Sequence, residues 1–356
     1  MEIIKLKEFY NGKRVLVTGH TGFKGSWLCK ILCDMGATVY GYALAPDELS
    51  LYNILHLDKN VTSLIGNISD YNRLEKFYLQ VKPDIVFHLA AQPLVRLSYE
   101  EPAKTYLTNV MGTVNILECI RKHKSAKSVL NVTTDKVYLN KEWAWGYREN
   151  ERLDGYDPYS NSKSCSELVT WTYVRSFFSN SDAPIVSTAR AGNVIGGGDF
   201  SKDRIIPDCV KAAIARQDII VRNPNSTRPY QHVLEPLFAY LLIAAQQYEN
   251  RALGSTYNVG PDDCDCFTTG NLADTFVKKW GGNLKWVNLN LGGPHEANFL
   301  KLDNSKIKSV IGWHPVWHLD TAIEKVVEWS KEWHNGGDVD SLMTIQISQY
   351  LEDSTK

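Results

Sequence analysis

The chain has 356 residues, 44% of them apolar, 11% aromatic and 22% charged. That length fits one large domain or two moderate ones, and it can bury about three quarters of its unfolded surface. Disordered, collagen-like and disulfide-scaffold classes are excluded. Lys plus Arg number 39 against 40 Asp plus Glu, a net charge of −1, so no global field draws the chain to nucleic acid or to anionic lipid.

Strand-like and helix-like patterns alternate from residue 13 to about 195. Lys13–Thr18 (KRVLVT) reads as a buried parallel strand. Ser26–Met35 reads as a helix closed by Gly36, and Thr38–Ala43 as a second strand. Asp84–Ala90 (DIVFHLA) is a further strand, followed by helical periodicity over Pro102–His123 and a strand at Ser128–Thr134. Pro158–Phe178 is helical, and Ile185–Asn193 is a strand. This alternation implies right-handed crossovers and an α/β fold with a doubly wound parallel sheet. The pattern loosens after Gly196-Gly197-Gly198. We expect a first domain over 1–193 and a smaller one over 194–356, with segments near 232–260 able to return to the first sheet.

The longest clean apolar run, Leu237–Ala245, is nine residues. That is half a membrane span, and the opening MEIIKLKEFYNGKR has no secretory core. Seven cysteines, mostly within apolar helical patterns, read as reduced thiols of a cytoplasmic protein. Cys264-Asp265-Cys266 reads as a loop, since no second Cys or His pair has ligand spacing, and no metal is expected.

Gly19-His20-Thr21-Gly22-Phe23-Lys24-Gly25 has the spacing G-x-x-G-x-x-G between the first strand and the first helix. Glycine allows a tight turn and close backbone approach, and the helix start offers free N–H donors to a pyrophosphate. Placement after a strand and before a helix is what makes dinucleotide binding the stronger reading over a structural turn. The second strand ends without the carboxylate that holds adenosine ribose hydroxyls; Asp47 and Glu48 come later, and no Arg or Lys stands there for a 2′-phosphate. NAD is favoured over NADP, with loose binding. His20 and Lys24 are expected to crowd or flank the cofactor.

Tyr159-Ser160-Asn161-Ser162-Lys163 places a phenol and an ammonium four residues apart on one helix face. A free phenol has a pKa of about 10, and a nearby ammonium lowers it enough for the oxygen to take a proton from an alcohol. Twenty-five residues earlier, a strand ends Thr133-Thr134-Asp135-Lys136 at the carboxyl edge of the sheet, where ligands of such sheets sit.

Together with His88–Gln92 (HLAAQ), Arg190–Asp199, Arg204–Asp208 and Thr227–His232 (TRPYQH), these motifs resemble the nucleotide-sugar-modifying branch of the extended short-chain dehydrogenase/reductases. The likeness covers nearly the whole chain. It implies a Rossmann sheet, a homodimer or higher homo-oligomer, and a dehydration with no net redox change. CDP-glucose is the implied substrate, and deoxysugar biosynthesis for lipopolysaccharide O-antigen the implied setting. Tyr159 would take the C4 hydroxyl proton as hydride moves to NAD, water would leave across C5 and C6, and the hydride would return to C6. Thr134 would hold the C4 oxygen and Lys163 would tune Tyr159. Asp135 would protonate the departing hydroxyl. Related dehydratases carry Glu where this chain has Lys136, so Asp135 and Lys136 are expected to share the elimination. A lysine acts as a base only when desolvation lowers its pKa.

For the cofactor the likeness adds Asn67, Ile68, Leu89, Ala90, Ala91 and Thr133 to Gly19–Gly25, Tyr159 and Lys163. For the sugar diphosphate it implies Asn193 and Arg228, with Arg96, Arg204 and Lys211 as further candidates. The alternative is a nucleotide-sugar 4-epimerase, which shares Tyr, Lys and NAD but needs no acid at C6.

Overall fold

The computed structural model describes residues 2–289 and 298–356. Its centre is a seven-stranded parallel sheet. In chain order the strands are β1 (Arg14–Thr18), β2 (Thr38–Ala43), β3 (Thr62–Ile65), β4 (Ile85–His88), β5 (Ser128–Val132), β6 (Ile185–Ala191) and β7 (Thr256–Val259). Their spatial order is β7-β6-β5-β4-β1-β2-β3. Strands β4, β5 and β6 are buried along their whole length, as mostly apolar or small-residue runs are when helices cover both faces, and their polar exceptions His88, Asn131 and Arg190 are hydrogen-bonded. The short edge strand β3 (TSLI) is largely exposed and carries no such run.

The chain crosses the expected 193/194 division. Strand β7 pairs with β6, and the buried helix Leu234–Glu249 packs in the main core with β5 and β6 residues. The last helix, Val339–Asp353, joins the same core through Met343, Ile347 and Tyr350. A separate core holds the helices Ile205–Ile214, Thr269–Trp280 and Leu319–His334. Two short ladders, Thr227–Pro229 with Cys266–Thr268 and Val194–Ile195 with Gln231–His232, fix the segments beside the cleft.

Two helices differ from expectation. The first begins at Phe23 rather than Ser26, so Phe23, Lys24 and Gly25 form its opening turn. The stretch 102–123 is divided by one wider turn at Leu107–Met111. There Asn109 turns inward, accepts from Gln92 N–H at 2.8 Å and donates to Ser162 Oγ at 2.8 Å. A buried amide with fixed partners explains the local widening better than propensity does.

Candidate active site

At the end of β1 the backbone turns through Gly19, φ 78°. A Cβ there would lie 2.8 Å from Ala90 N, and one on Gly25 would strike the Gly19 carbonyl. Only glycine lets the helix Phe23–Asp34 begin this close to the strand ends. Thr18 Oγ1 accepts from Ala90 N–H at 3.2 Å and bonds His88 Nδ1 at 2.7 Å, tying the β1 and β4 ends together. Leu89, Ala90 and Ala91 leave β4 beside this loop, part-exposed. Asn67 and Ile68 follow β3; Asn67 is exposed, and Ile68 is buried against Gly112. Thr21 Oγ1 donates to Leu44 O at 3.0 Å, which pins the loop to the segment after β2. Asp47 and Glu48 lie exposed, and their carbonyls hold the Asn53 amide.

His20 departs from the expected place against the cofactor. Its buried ring fills the space a side chain on Gly41 would take, bonds Ser63 Oγ at 2.7 Å and meets Tyr52 edge-on. Burial lowers its pKa to about 4, so it is a neutral packing group between β2, β3 and the loop.

Beyond β5 the chain extends to Thr134 and makes a short turn, Asp135–Val137. Successive residues of an extended segment point to opposite sides. Thr133 therefore turns inward and donates to Glu167 Oε1 at 2.5 Å, so its side chain belongs to the core and not to the cofactor site as expected. Thr134 faces the other way and donates to Asp135 Oδ1 at 2.9 Å. Asp135 is 2% exposed, and its Oδ2 has no partner among the described residues. Burial raises its pKa, while Lys136, the Thr134 hydroxyl and Arg228 pull it back. Lys136 is half-buried on the same turn.

The helix Pro158–Phe177 starts on an Asp157 cap, whose Oδ1 accepts from Ser160 N–H at 2.9 Å. This sets Tyr159 in the first turn and Lys163 one turn on. Lys163 is buried and donates to Val132 O at 3.1 Å. Burial and the nearby Lys24 ammonium lower its pKa to about 7. Tyr159 does not have the depressed pKa that the spacing suggested. Burial pushes its phenol up to about 12, with the Thr134 hydroxyl and Arg204 pulling the other way. Desolvation outweighs the neighbouring cation.

On the opposite wall, Arg228 is buried on the strand Thr227–Pro229, donates to Thr227 O at 3.0 Å and exerts its charge on Asp135. Arg204 pairs with Asp199 at 3.3 Å. Arg96 lies 3.8 Å from Asp203, which also receives Arg222 at 2.7 Å. Asp203 lies at φ 60°. Asn193 is part-buried and its carbonyl accepts from Gln231 N–H at 2.9 Å. Lys211 stands apart, exposed on the helix Ile205–Ile214. Sequence reasoning missed Asp199 and Arg222; the GGGD motif was the available signal for the first.

The fold also brings His318 to Cys264 and Asp265, with one donor atom from each within 4.8 Å. Asp265 already accepts from Leu319 N–H at 3.0 Å and bonds His318 Nδ1 at 2.7 Å, which accounts for the cluster as a helix cap.

A strand-end glycine loop, a Thr-Asp-Lys turn and a Tyr/Lys helix on one doubly wound sheet define an extended short-chain dehydrogenase/reductase. Within that class, the GDP-mannose 4,6 dehydratase family profile matches residues 16–326, and the chain belongs to this family. It is 49% identical to the CDP-glucose 4,6-dehydratase of Salmonella typhimurium over 98% of this chain and 99% of that protein. Among solved structures, the Thermotoga maritima UDP-glucose 4-epimerase with UDP-glucose superposes with a TM-score of 0.78 at 23% identity, covering 90% of this chain and 99% of the other. The Bacillus anthracis dTDP-glucose 4,6-dehydratase in complex with NAD gives 0.74 at 21%, covering 89% and 96%.

Proposed function

We propose that the protein is an NAD-dependent hydro-lyase that converts CDP-D-glucose to CDP-4-keto-6-deoxy-D-glucose. One observation carries this reading beyond the family: a buried carboxyl with an open oxygen, Asp135, shares a turn with Lys136 beside Thr134 and Tyr159. A 4-epimerase has no use for an acid and a base at C6 and C5. The end-to-end likeness to a CDP-glucose enzyme supports the choice of nucleotide and sugar.

The glycine cradle and the free N–H groups of the twelve-residue helix behind it suit the pyrophosphate of NAD. When bound, NAD supplies a reversible hydride acceptor. The backbone of Gly19–Gly25, with Asn67, Ile68 and Leu89–Ala91, would hold it. Tyr159 takes the C4 hydroxyl proton, and bound cofactor and sugar have to supply the stabilisation that offsets the burial of its phenolate. Thr134 holds the C4 oxygen and Lys163 orients the reacting end. The C4 ketone acidifies the C5 hydrogen, which Lys136 removes. Asp135, whose pKa is raised by burial, gives its proton to the C6 oxygen as the C–O bond breaks. Arg228 binds the diphosphate, with Asn193, Arg204 and Arg96 beside it.

We assign dinucleotide binding to residues 1–193 with the returning segment near 232–260, and nucleotide-sugar binding mainly to the rest. A second copy of the chain is the proposed partner. Leu107, Met111, Leu168 and Phe177 are exposed on the two helices that flank one face, which supports dimerisation there. Among the described residues, no helix is long and apolar enough to cross a membrane. A cytoplasmic place in deoxysugar and O-antigen synthesis is consistent with that substrate. The test is incubation with CDP-, dTDP- and GDP-glucose plus NAD. Loss of one water from CDP-glucose alone is expected; a product of unchanged mass would refute dehydration.

A further inference from the structure

Lys24 occupies the second position of the helix behind the glycine loop. On the same turn Phe23 faces Gly196, and one turn further Trp27 donates to Gly197 O at 3.0 Å. This helix start is therefore packed against the Gly196–Asp199 loop, and Lys24 lies at that junction. Its ammonium stands near enough to Asp135 and Asp199 for both carboxylates to favour its charge, and near enough to Arg204 and Lys163 to be opposed by theirs. Burial is the largest influence and brings its pKa to about 8, which leaves it mostly protonated at neutral pH. It makes no hydrogen bond or ion pair with any described residue.

Two groups of complementary type are thus left open in one cleft. Asp135 Oδ2 is buried and unpartnered, and the Lys24 ammonium is an unused donor. Buried polar groups are ordinarily satisfied, so an unsatisfied pair at a cleft specifies what should fill it. A carboxyl and an ammonium together fit a group that both gives and accepts, which is a hydroxyl. We propose that Lys24 is a further catalytic residue, holding the departing C6 oxygen of the nucleotide sugar opposite Asp135. This rests on the dehydratase reading above and deepens it.

In the elimination, the C6–O bond breaks with its electron pair going to oxygen. That oxygen takes the Asp135 carboxyl proton and leaves as water. The C5 proton goes to Lys136, and the C5–H electron pair forms the C5=C6 double bond. Lys24 keeps its proton and donates a hydrogen bond to the oxygen as negative charge grows there. A charged donor aimed at developing charge acts more strongly in the transition state than in the ground state.

The experiment compares the whole protein with Lys24→Met and Lys24→Gln, each checked for folding by circular dichroism. Calorimetric titration without NAD, where no turnover occurs, uses CDP-glucose and CDP-6-deoxyglucose. The normal protein should prefer the sugar with its 6-hydroxyl by roughly tenfold, as one charge-assisted hydrogen bond allows. Lys24→Met should lose most of that preference, and Lys24→Gln should recover part of it. In a single turnover with NAD, Lys24→Met should still raise absorbance at about 340 nm as C4 is oxidised, while water loss slows about a hundredfold, the lower range for one lost charge-stabilising donor. An unchanged 6-hydroxyl preference, or equal slowing of both phases, would overturn the assignment. A normal protein that never releases water would instead defeat the dehydratase reading, and the binding comparison would still decide where Lys24 acts.

Discussion

Two polar clusters flank the end of β5, only a residue apart in sequence, and they are built on opposite terms. Inside the sheet, Glu167 and Arg190 form a buried pair, with Nε to Oε1 and Nη2 to Oε2 both at 3.0 Å. Thr133 and Thr188 fill the remaining carboxylate sites, and Tyr138 and the Glu149 carbonyl take further guanidinium donors. Outside, in the cleft, Asp135 keeps one open oxygen, Lys24 has no bonded partner, and Tyr159 is held as an un-ionised phenol. Each cluster holds a buried carboxyl, Glu167 in one and Asp135 in the other, so burial alone does not separate a site from a scaffold. Completion of the hydrogen bonds does: the filled network fixes the strand ends, and the unfilled one awaits a ligand.

The contrast can be broken by substitution on either side. Tyr159→Phe should lower turnover about a thousandfold, within the usual reach of a positioned base, and leave the melting temperature within a degree or so. A large loss of stability would move Tyr159 to the scaffold. Glu167→Ala should do the reverse, costing about 3–5 kcal/mol in urea unfolding because Arg190 is left buried without its partner. A stability change under about half a kcal/mol would show that the inner network is not what fixes the sheet edge. Arg228→Met should weaken CDP-glucose binding about ten- to a hundredfold, by loss of a charged hydrogen-bond donor, with a smaller effect on turnover. Equal binding by calorimetry would remove Arg228 from the diphosphate site.

The smallest expected effect is on pH. Burial lowers the pKa of His20 to about 4, and of His88 and His232 to about 3, from 6.5. The unfolded chain takes up protons on these rings before the folded one does. Their contribution is therefore present above pH 6.5 and is lost as pH falls towards 4 and 3, at about 1.4 kcal/mol per unit for each ring. Glu235, raised by burial to about 7 from 4.5, opposes this between those values, because its folded form binds the extra proton. Urea midpoints should fall on acidification below about pH 6, and fall less in His232→Asn. A midpoint that rises on acidification across that range would contradict the neutral buried histidines.

The inner strands were legible because each is dominated by apolar or small residues, with single polar interruptions such as Asn131 and Arg190. Strand β3 was not, since an exposed edge of four residues has neither a run nor a clean alternation. The glycine loop, the Tyr/Lys helix and the Thr-Asp-Lys turn could be read from type and spacing. Which way each side chain turns could not. Thr133 and Thr134 are adjacent and identical, yet one completes the core and the other faces the cleft. Arg190 belongs to a recognisable motif, but its partner Glu167 lies on a helix surface pattern that shows nothing of a buried ion pair. Lys24 was visible as an oddity among glycines, and only the packing of its helix against residues 196–199 brings its charge within the influence of Asp135.

The most direct measurement is mass spectrometry on Asp135→Asn beside the unaltered protein, each given CDP-glucose and NAD. The unaltered protein should release one water per sugar, and the variant should oxidise C4 while releasing almost none. Water release by the variant at the unaltered rate would contradict the central role given to the open carboxyl.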